Sequence, residues 1–256
     1  MKQDNTDFIS INCGVSLNSE LISKEYAFNN KDLNVFLIDI ESQVLKLSEL
    51  YEFLSLEEKI KSKSYRQQKD TERYIISKAY LRLLLSKFLN IEPRRIEFDK
   101  NENHKPFLQN LKDLHFNISH SGNLIAIAFC EYSVGIDVEK IDLLFNYNDI
   151  IDRSFSQLER DSIKYNKDNA HKQFYSLWTR KEALVKATGK GIDDRFDEVP
   201  SLDGLHTIQT QKISSHLNWT VGTIDFGKDY IVSLAFNSKI DINNIHIFQF
   251  PNNLTN

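Results

Sequence analysis

The stretch Val134-Gly-Ile-Asp-Val-Glu-Lys-Ile141 sets two acids two positions apart. On a strand, alternate side chains share a face. Val134, Ile136 and Val138 therefore point one way, and Gly135, Asp137 and Glu139 the other. Two carboxylates held side by side repel unless something positive lies between them. A hard divalent cation meets that need, since Mg²⁺ is commonly held by one or two carboxylates plus phosphate oxygens. A strand with its polar face in solvent accounts for the same two acids without a ligand.

A second charged group lies on the segment Phe174–Ile192. At about 100° per residue, Phe174, Leu177, Trp178, Leu184 and Val185 form one apolar stripe of a helix. Lys181 falls inside that stripe, Glu182 borders it beside Trp178, and Lys186 lies one turn above Glu182. An exposed Glu–Lys pair at this spacing is worth only about 0.3–0.5 kcal/mol. A lysine within an apolar stripe must snorkel to water or meet an anion. An acid flanked by two lysines suits a cation–diphosphate complex. Gly189 is the predicted helix stop; Lys190, between two glycines, fits either a close-approach loop or an ordinary glycine-based helix end.

Phe116-Asn-Ile-Ser-His-Ser-Gly122 holds Ser119 next to His120. Neighbours on a strand point to opposite faces, so these two do not make a nucleophile–base pair. His120 shares a face with Ile118, as a core histidine or as a phosphate contact. Upstream, Lys59, Lys61 and Lys63 crowd one short helix, and Arg73 and Arg82 lie on the next; such charges are commonly solvated faces. His104-Lys105-Pro106-Phe107-Leu108 reads as an extended, proline-stiffened segment presenting Lys105.

The elements that must position these groups alternate in kind. Residues 33–40 predict a strand. Ser55 with Glu58, and Ser156 with Glu159, are capping boxes that start helices. Residues 71–90 form an amphipathic helix that Pro93 cannot continue. Alternation over 114–120, 124–130 and 133–139 predicts a three-strand meander. A helix over 169–187 follows, then strands at 217–225, 229–236 and 244–249. This order predicts an α+β fold of two similar halves related by a pseudo-two-fold, 31–131 and 132–256, with the site in the cleft between them. Residues 1–30 are polar and weakly patterned, and are expected to form a loosely packed extension.

The 256 residues carry a net charge of −4 and are 41% hydrophobic and 27% charged. That is ordinary for a soluble domain and argues against bulk nucleic-acid binding. No run approaches the roughly 20 apolar residues of a membrane span. Cys13 and Cys130 lack metal-ligand spacing and are expected as reduced thiols of a cytoplasmic protein. The first residues carry no signal-peptide pattern.

The order and wording of "HKPFL", "FNISHSG", "GIDVEKI" and "FYSLWTRKEALVKATGKGI" resemble the 4′-phosphopantetheinyl transferases, in particular the larger, pseudo-dimeric type that serves nonribosomal peptide and polyketide synthases. The resemblance runs from Ser55 through Ile192. It implies transfer of the phosphopantetheine arm of coenzyme A to a serine of an apo carrier protein, with release of 3′,5′-ADP. By that resemblance Asp137, Glu139 and Glu182 bind Mg²⁺, and Lys186 neutralises the diphosphate and protonates the leaving group. Lys181 contacts the α-phosphate; His120 and Arg73, with Lys61, contact the 3′-phosphate; Lys105 and Ser119 border the adenine. Glu182 or Glu139 is the base, unless a metal-bound water is. The segment 140–167, with Leu144, Phe145 and Phe155, is expected to dock the carrier. A monomer is expected. Competing readings are transfer to the acyl carrier protein of fatty-acid synthesis, a coenzyme A-binding module without turnover, and a Mg²⁺-dependent phosphohydrolase. The chain departs from the family pattern at His104, where glycine is usual, and at Tyr74, where a small residue is frequent.

Overall fold

The acid strand is buried on both faces from Val134 to Val138, and this fixes the architecture. The computed structural model describes residues 6–12, 19–21, 29, 31–103, 105–109, 111, 113–193 and 195–250, with backbone alone at 12, 19–21 and 225. Along the chain run β1 (Thr6–Asn12), β2 (Ser19–Leu21), β3 (Leu33–Asp39), α1 (Leu47–Glu52), α2 (Leu56–Ser62), α3 (Gln68–Leu89), β4 (Phe98–Lys100), β5 (Pro106–Leu108), β6 (His115–Ser121), β7 (Leu124–Cys130) and β8 (Val134–Lys140). Then come α4 (Asn148–Ser154), α5 (Gln157–Tyr165), α6 (Ala170–Thr188), β9 (Gly204–Gln209), α7 (Thr210–Ile213), β10 (Trp219–Phe226), β11 (Tyr230–Asn237) and β12 (Ile245–Gln249).

Two five-stranded sheets result, ordered β8-β11-β10-β1-β9 and β2-β12-β3-β7-β6, with β4 and β5 as a separate ribbon. The fold is α+β with two sheet-containing halves, each sheet backed by one long helix. The period-two rule sorts the core. Leu33, Val35 and Leu37 of β3 meet Val134, Ile136 and Val138 of β8 in an apolar layer between the sheets. Phe36 and Ile38 turn instead toward α3, against Ile76, Tyr80 and Leu84. On the far side, Ala183, Leu184 and Ala187 of α6 pack on Ile9, Ile11 and Val221. Gly135, Asp137 and Glu139 are thus aimed at α6.

Both capping boxes form: Ser55 Oγ accepts from the Glu58 N–H and Ser156 Oγ from the Glu159 N–H. Helix α6 stops at Gly189, at φ 75°. Helix α3 ends before Pro93 is reached, at Asn90, whose φ of 52° is left-handed. Asn accepts that conformation at little cost, so asparagine rather than the proline terminates this helix.

The expectation of a loose extension over residues 1–30 needs correction. Strand β1 lies inside the sheet, parallel to β10 and antiparallel to β9, with Ile9 and Ile11 at 0% and 1% exposure. Residues 1–5, 13–18, 22–28 and 30 fall outside the described residues. At the other end, β12 lies between β2 and β3 and runs parallel to both. Each sheet therefore borrows a strand from the far end of the sequence, which a division at residue 132 does not capture.

Gly135 explains how α6 comes so close to the acid strand. A Cβ there would lie 2.0 Å from the Ala183 carbonyl oxygen and 2.4 Å from the Ala187 nitrogen. The helix backbone rests directly on the strand. Gly135→Ala must push α6 outward, and overpacking of this kind costs about 1–3 kcal/mol. A lowered urea midpoint is the expected result.

Candidate active site

The two sheets meet edge to edge at β6 and β8, and the join is made by side chains. Along β6, the alternate residues Asn117, Ser119 and Ser121 reach the backbone of β8. Asn117 Oδ1 accepts from the Ile136 N–H (2.9 Å), Ser119 Oγ from the Val138 N–H (3.4 Å) and Ser121 Oγ from the Lys140 N–H (3.1 Å). The two serine hydroxyls then donate to the acids: Ser119 to Asp137 Oδ1 at 2.9 Å, and Ser121 to Glu139 Oε2 at 2.6 Å. Lys186 Nζ completes the group from α6, 2.6 Å from Asp137 Oδ1 and 3.1 Å from Ser119 Oγ.

Over this seam opens a cavity of about 400 Å³. Asp137, Glu139, Glu182, Lys186 and Trp178 form one wall; Arg73, Tyr74, Ser77 and Lys78 of α3 form the other, with Ile118, Ser119 and His120 between them. Burial pushes Asp137 and Glu139 upward, opposed in part by Lys186 and the serine hydroxyls. Glu182 is pushed up to about 7, first by burial and then by repulsion from Asp137 and Glu139, against the pull of Lys186. Opposite, burial followed by Arg73 lowers His120, and burial lowers Lys78.

The acids fit a hard cation that arrives with its own oxygen donors. Asp137 Oδ2 is buried and has no hydrogen-bond partner, and three carboxylates line one cavity. Among the described residues no three His, Cys, Asp or Glu side chains converge into a ready-made metal cage. A cation held here would need waters or substrate phosphates to complete its shell, as Mg²⁺ commonly does.

Glu182 also sets a pH dependence. Its folded value of about 7 exceeds the ordinary 4.5. Its contribution to stability is therefore fully present below the ordinary value and is lost as pH climbs through about 7. The ligand-free protein should lose thermal stability between those limits, and Glu182→Gln should flatten that part of the profile in calorimetry.

Two expected ligand residues are placed elsewhere. Lys181 does not reach the cavity. It is fully buried, and its ammonium pairs with Glu159 Oε2 at 2.9 Å and donates to the carbonyls of Val199, Phe196 and Asp197. The anion required by a stripe lysine is thus the capping-box glutamate of α5, itself held by Ser201 Oγ at 2.6 Å. Lys105 is pushed down to about 8 by burial. Its ammonium donates to the carbonyls of Lys186 (2.6 Å), Val134 and Ala187, closing the C-terminal end of α6. It lines a different cavity, of about 450 Å³, with Phe107, His115 and Gly189.

The remaining expected residues lie in or beside the acid-lined cavity. Ser119 is bonded to the acid cluster. Arg73 lines the wall, held by Asp70 at 2.7 Å. Lys61 is exposed, its ammonium 5.7 Å from the Tyr74 ring. His104 lies outside the described residues. Of the expected docking side chains, Leu144 and Phe145 are exposed, whereas Phe155 is buried against Phe174. Lys78, Asp70 and Tyr65 were not singled out by sequence. The signal was the i,i+4 spacing of Arg73 with Ser77 and of Tyr74 with Lys78 on a helix already predicted.

Fold and site together define a two-half α+β protein with a cation- and acid-lined cleft at the seam. The chain belongs to the 4′-phosphopantetheinyl transferase superfamily. The description of that superfamily matches residues 133–235, and "4′-phosphopantetheinyl transferase, N-terminal" matches residues 42–131. The chain is 34% identical over 186 residues to a 4′-phosphopantetheinyl transferase of Bacillus subtilis, covering 71% of this chain and 81% of that one. It is 34% identical over 146 residues to the 4′-phosphopantetheinyl transferase Sfp of Bacillus subtilis, covering 57% of this chain and 64% of Sfp. It is 30% identical over 179 residues to psf-1 of Bacillus pumilus, covering 67% and 75%. No helix among the described residues is long and apolar enough to cross a membrane.

Proposed function

We propose that this transferase moves the phosphopantetheine arm of coenzyme A to a serine of an apo carrier protein, with Mg²⁺, and releases 3′,5′-ADP. The observation that carries the reading is one cavity with Asp137, Glu139, Glu182 and Lys186 on one wall and Arg73 and Lys78 on the other. The acids suit a cation bound to a diphosphate, and the α3 cations together with His120 suit the 3′-phosphate. Lys61 adds positive charge beside Tyr74. A bound Mg²⁺ would supply Lewis acidity at the β-phosphate.

The chain's own groups do the rest. The carrier serine oxygen forms a bond to the β-phosphorus while the bond from that phosphorus to the bridging oxygen breaks. Glu182 or Glu139 takes the hydroxyl proton. Lys186 offsets the negative charge that builds on the bridging oxygen and can donate a proton to it. Trp178 and Tyr74 narrow the cleft and limit water. The exposed Leu143, Leu144 and Phe145 form the docking surface for the carrier. The preferred carriers are those of peptide and polyketide synthases, and the enzyme acts as a cytoplasmic monomer.

The test is the intact mass of apo carriers after incubation with protein, coenzyme A and Mg²⁺. A peptidyl carrier should gain one phosphopantetheine. Gain by fatty-acid acyl carrier protein alone would remove the secondary-metabolite assignment. No gain by either carrier would remove the reaction.

A further inference from the structure

The seam between β6 and β8 repeats one contact three times, and two of the three repeats also touch an acid. This combination points to a role for Ser121 that its position at a strand end does not advertise. A hydroxyl offers one proton and two lone pairs. The Lys140 N–H occupies a lone pair of Ser121 at 3.1 Å, while the Ser121 proton goes to Glu139 Oε2 at 2.6 Å. One hydroxyl thus closes the junction of the two halves and fixes a carboxylate that is otherwise a flexible side chain at the mouth of the cleft. Ser119 does the same for Asp137, but it also contacts Lys186, so Ser121 is the cleaner case. Asn117 makes the third seam contact, to Ile136, opposite Gly135, where there is no acid.

We propose that Ser121 is a positioning residue: through its hydroxyl, the edge strand of one half holds Glu139 of the other half where a substrate-bound cation takes it as a ligand. The inference rests on the proposed cation-dependent transfer and names the group that aims one of its acids. Neighbours that orient metal-binding side chains in this way typically contribute 10–100-fold in metal affinity. Glu139 without Ser121 keeps its charge but must be immobilised on binding.

The experiment is Mn²⁺ affinity measured by electron paramagnetic resonance in the presence of coenzyme A, with thermal denaturation of the same samples. Ser121→Ala should weaken Mn²⁺ binding about tenfold or more, and Ser121→Thr, which keeps the hydroxyl, should bind close to the wild-type level. Asn117→Ala should lower the melting temperature while leaving Mn²⁺ affinity unchanged. Wild-type affinity in Ser121→Ala overturns the proposal. So does a loss in Asn117→Ala as large as that in Ser121→Ala, because the seam alone would then account for the effect. A folded Ser121→Thr protein that loses affinity also overturns it. If the wild-type protein shows no coenzyme A-dependent Mn²⁺ binding, the cation reading falls and takes this proposal with it.

Discussion

Lys181→Met should cost the protein about 3–5 kcal/mol, the usual effect of removing one partner of a buried ion pair. The substitution keeps the apolar stem and deletes the charge. Glu159 is 2% exposed, so its carboxylate would be left without a cation in a site closed to water. The carbonyls of Val199, Phe196 and Asp197 would lose their shared donor at the same time. Domains have only about 5–15 kcal/mol in reserve, so urea titration should show a large shift or no folded baseline at all. The double variant Lys181→Met/Glu159→Gln should recover part of the loss, since the orphaned charge is gone. A stable single variant with weakened coenzyme A affinity would return Lys181 to a ligand role.

Asp137→Asn should have the opposite profile: if Asp137 is the proposed cation ligand, transfer falls by more than about 100-fold, since loss of a ligand outweighs loss of a neighbour that orients one, while the fold persists. Burial already disfavours the Asp137 charge, and Oδ2 has no partner to lose. The amide oxygen can still accept from Lys186 at the Oδ1 position, and Lys186, with 29% side-chain exposure, can offset the lost charge by hydration. Circular dichroism and the melting temperature should therefore match wild type while the carrier mass assay goes silent. A collapsed fold would make Asp137 part of the scaffold instead.

These two variants also show what the sequence disclosed and what it withheld. Alternation on β8 correctly set Asp137 and Glu139 on one face and the valines on the other, since that depends only on strand geometry. Helix phase correctly placed Glu182 and Lys186 together. For Lys181 the physical demand for an anion was legible, but its identity was not: Glu159 lies 22 residues away on another helix, and either a phosphate or a carboxylate satisfies the rule. The partners of Lys105 were equally hidden, being carbonyls of Lys186 and Ala187 in α6 and of Val134 in β8. Strand β1 was missed because its buried face is Asp7, Ile9 and Ile11, only two of them apolar, too short a pattern to stand out. The side-chain seam of Asn117, Ser119 and Ser121 has no local signature at all, since it depends on which edge strands happen to meet.

The borrowed strands have a consequence for how the molecule is made. A nascent chain that has emerged through β7 already contains β3, β6 and β7, but it cannot finish that sheet, because the second neighbour of β3 arrives only with Ile245–Gln249. Likewise β1, made near the start, waits for Trp219–Phe226 before it can pair with β10. The sheet that holds β3 therefore stays open until the rest of the fold has been made, whereas the other has all its strands once β11 has emerged. Such long-range pairing favours slow maturation, and it makes loss of β12 a lesion in the N-terminal half and loss of β1 a lesion in the C-terminal one.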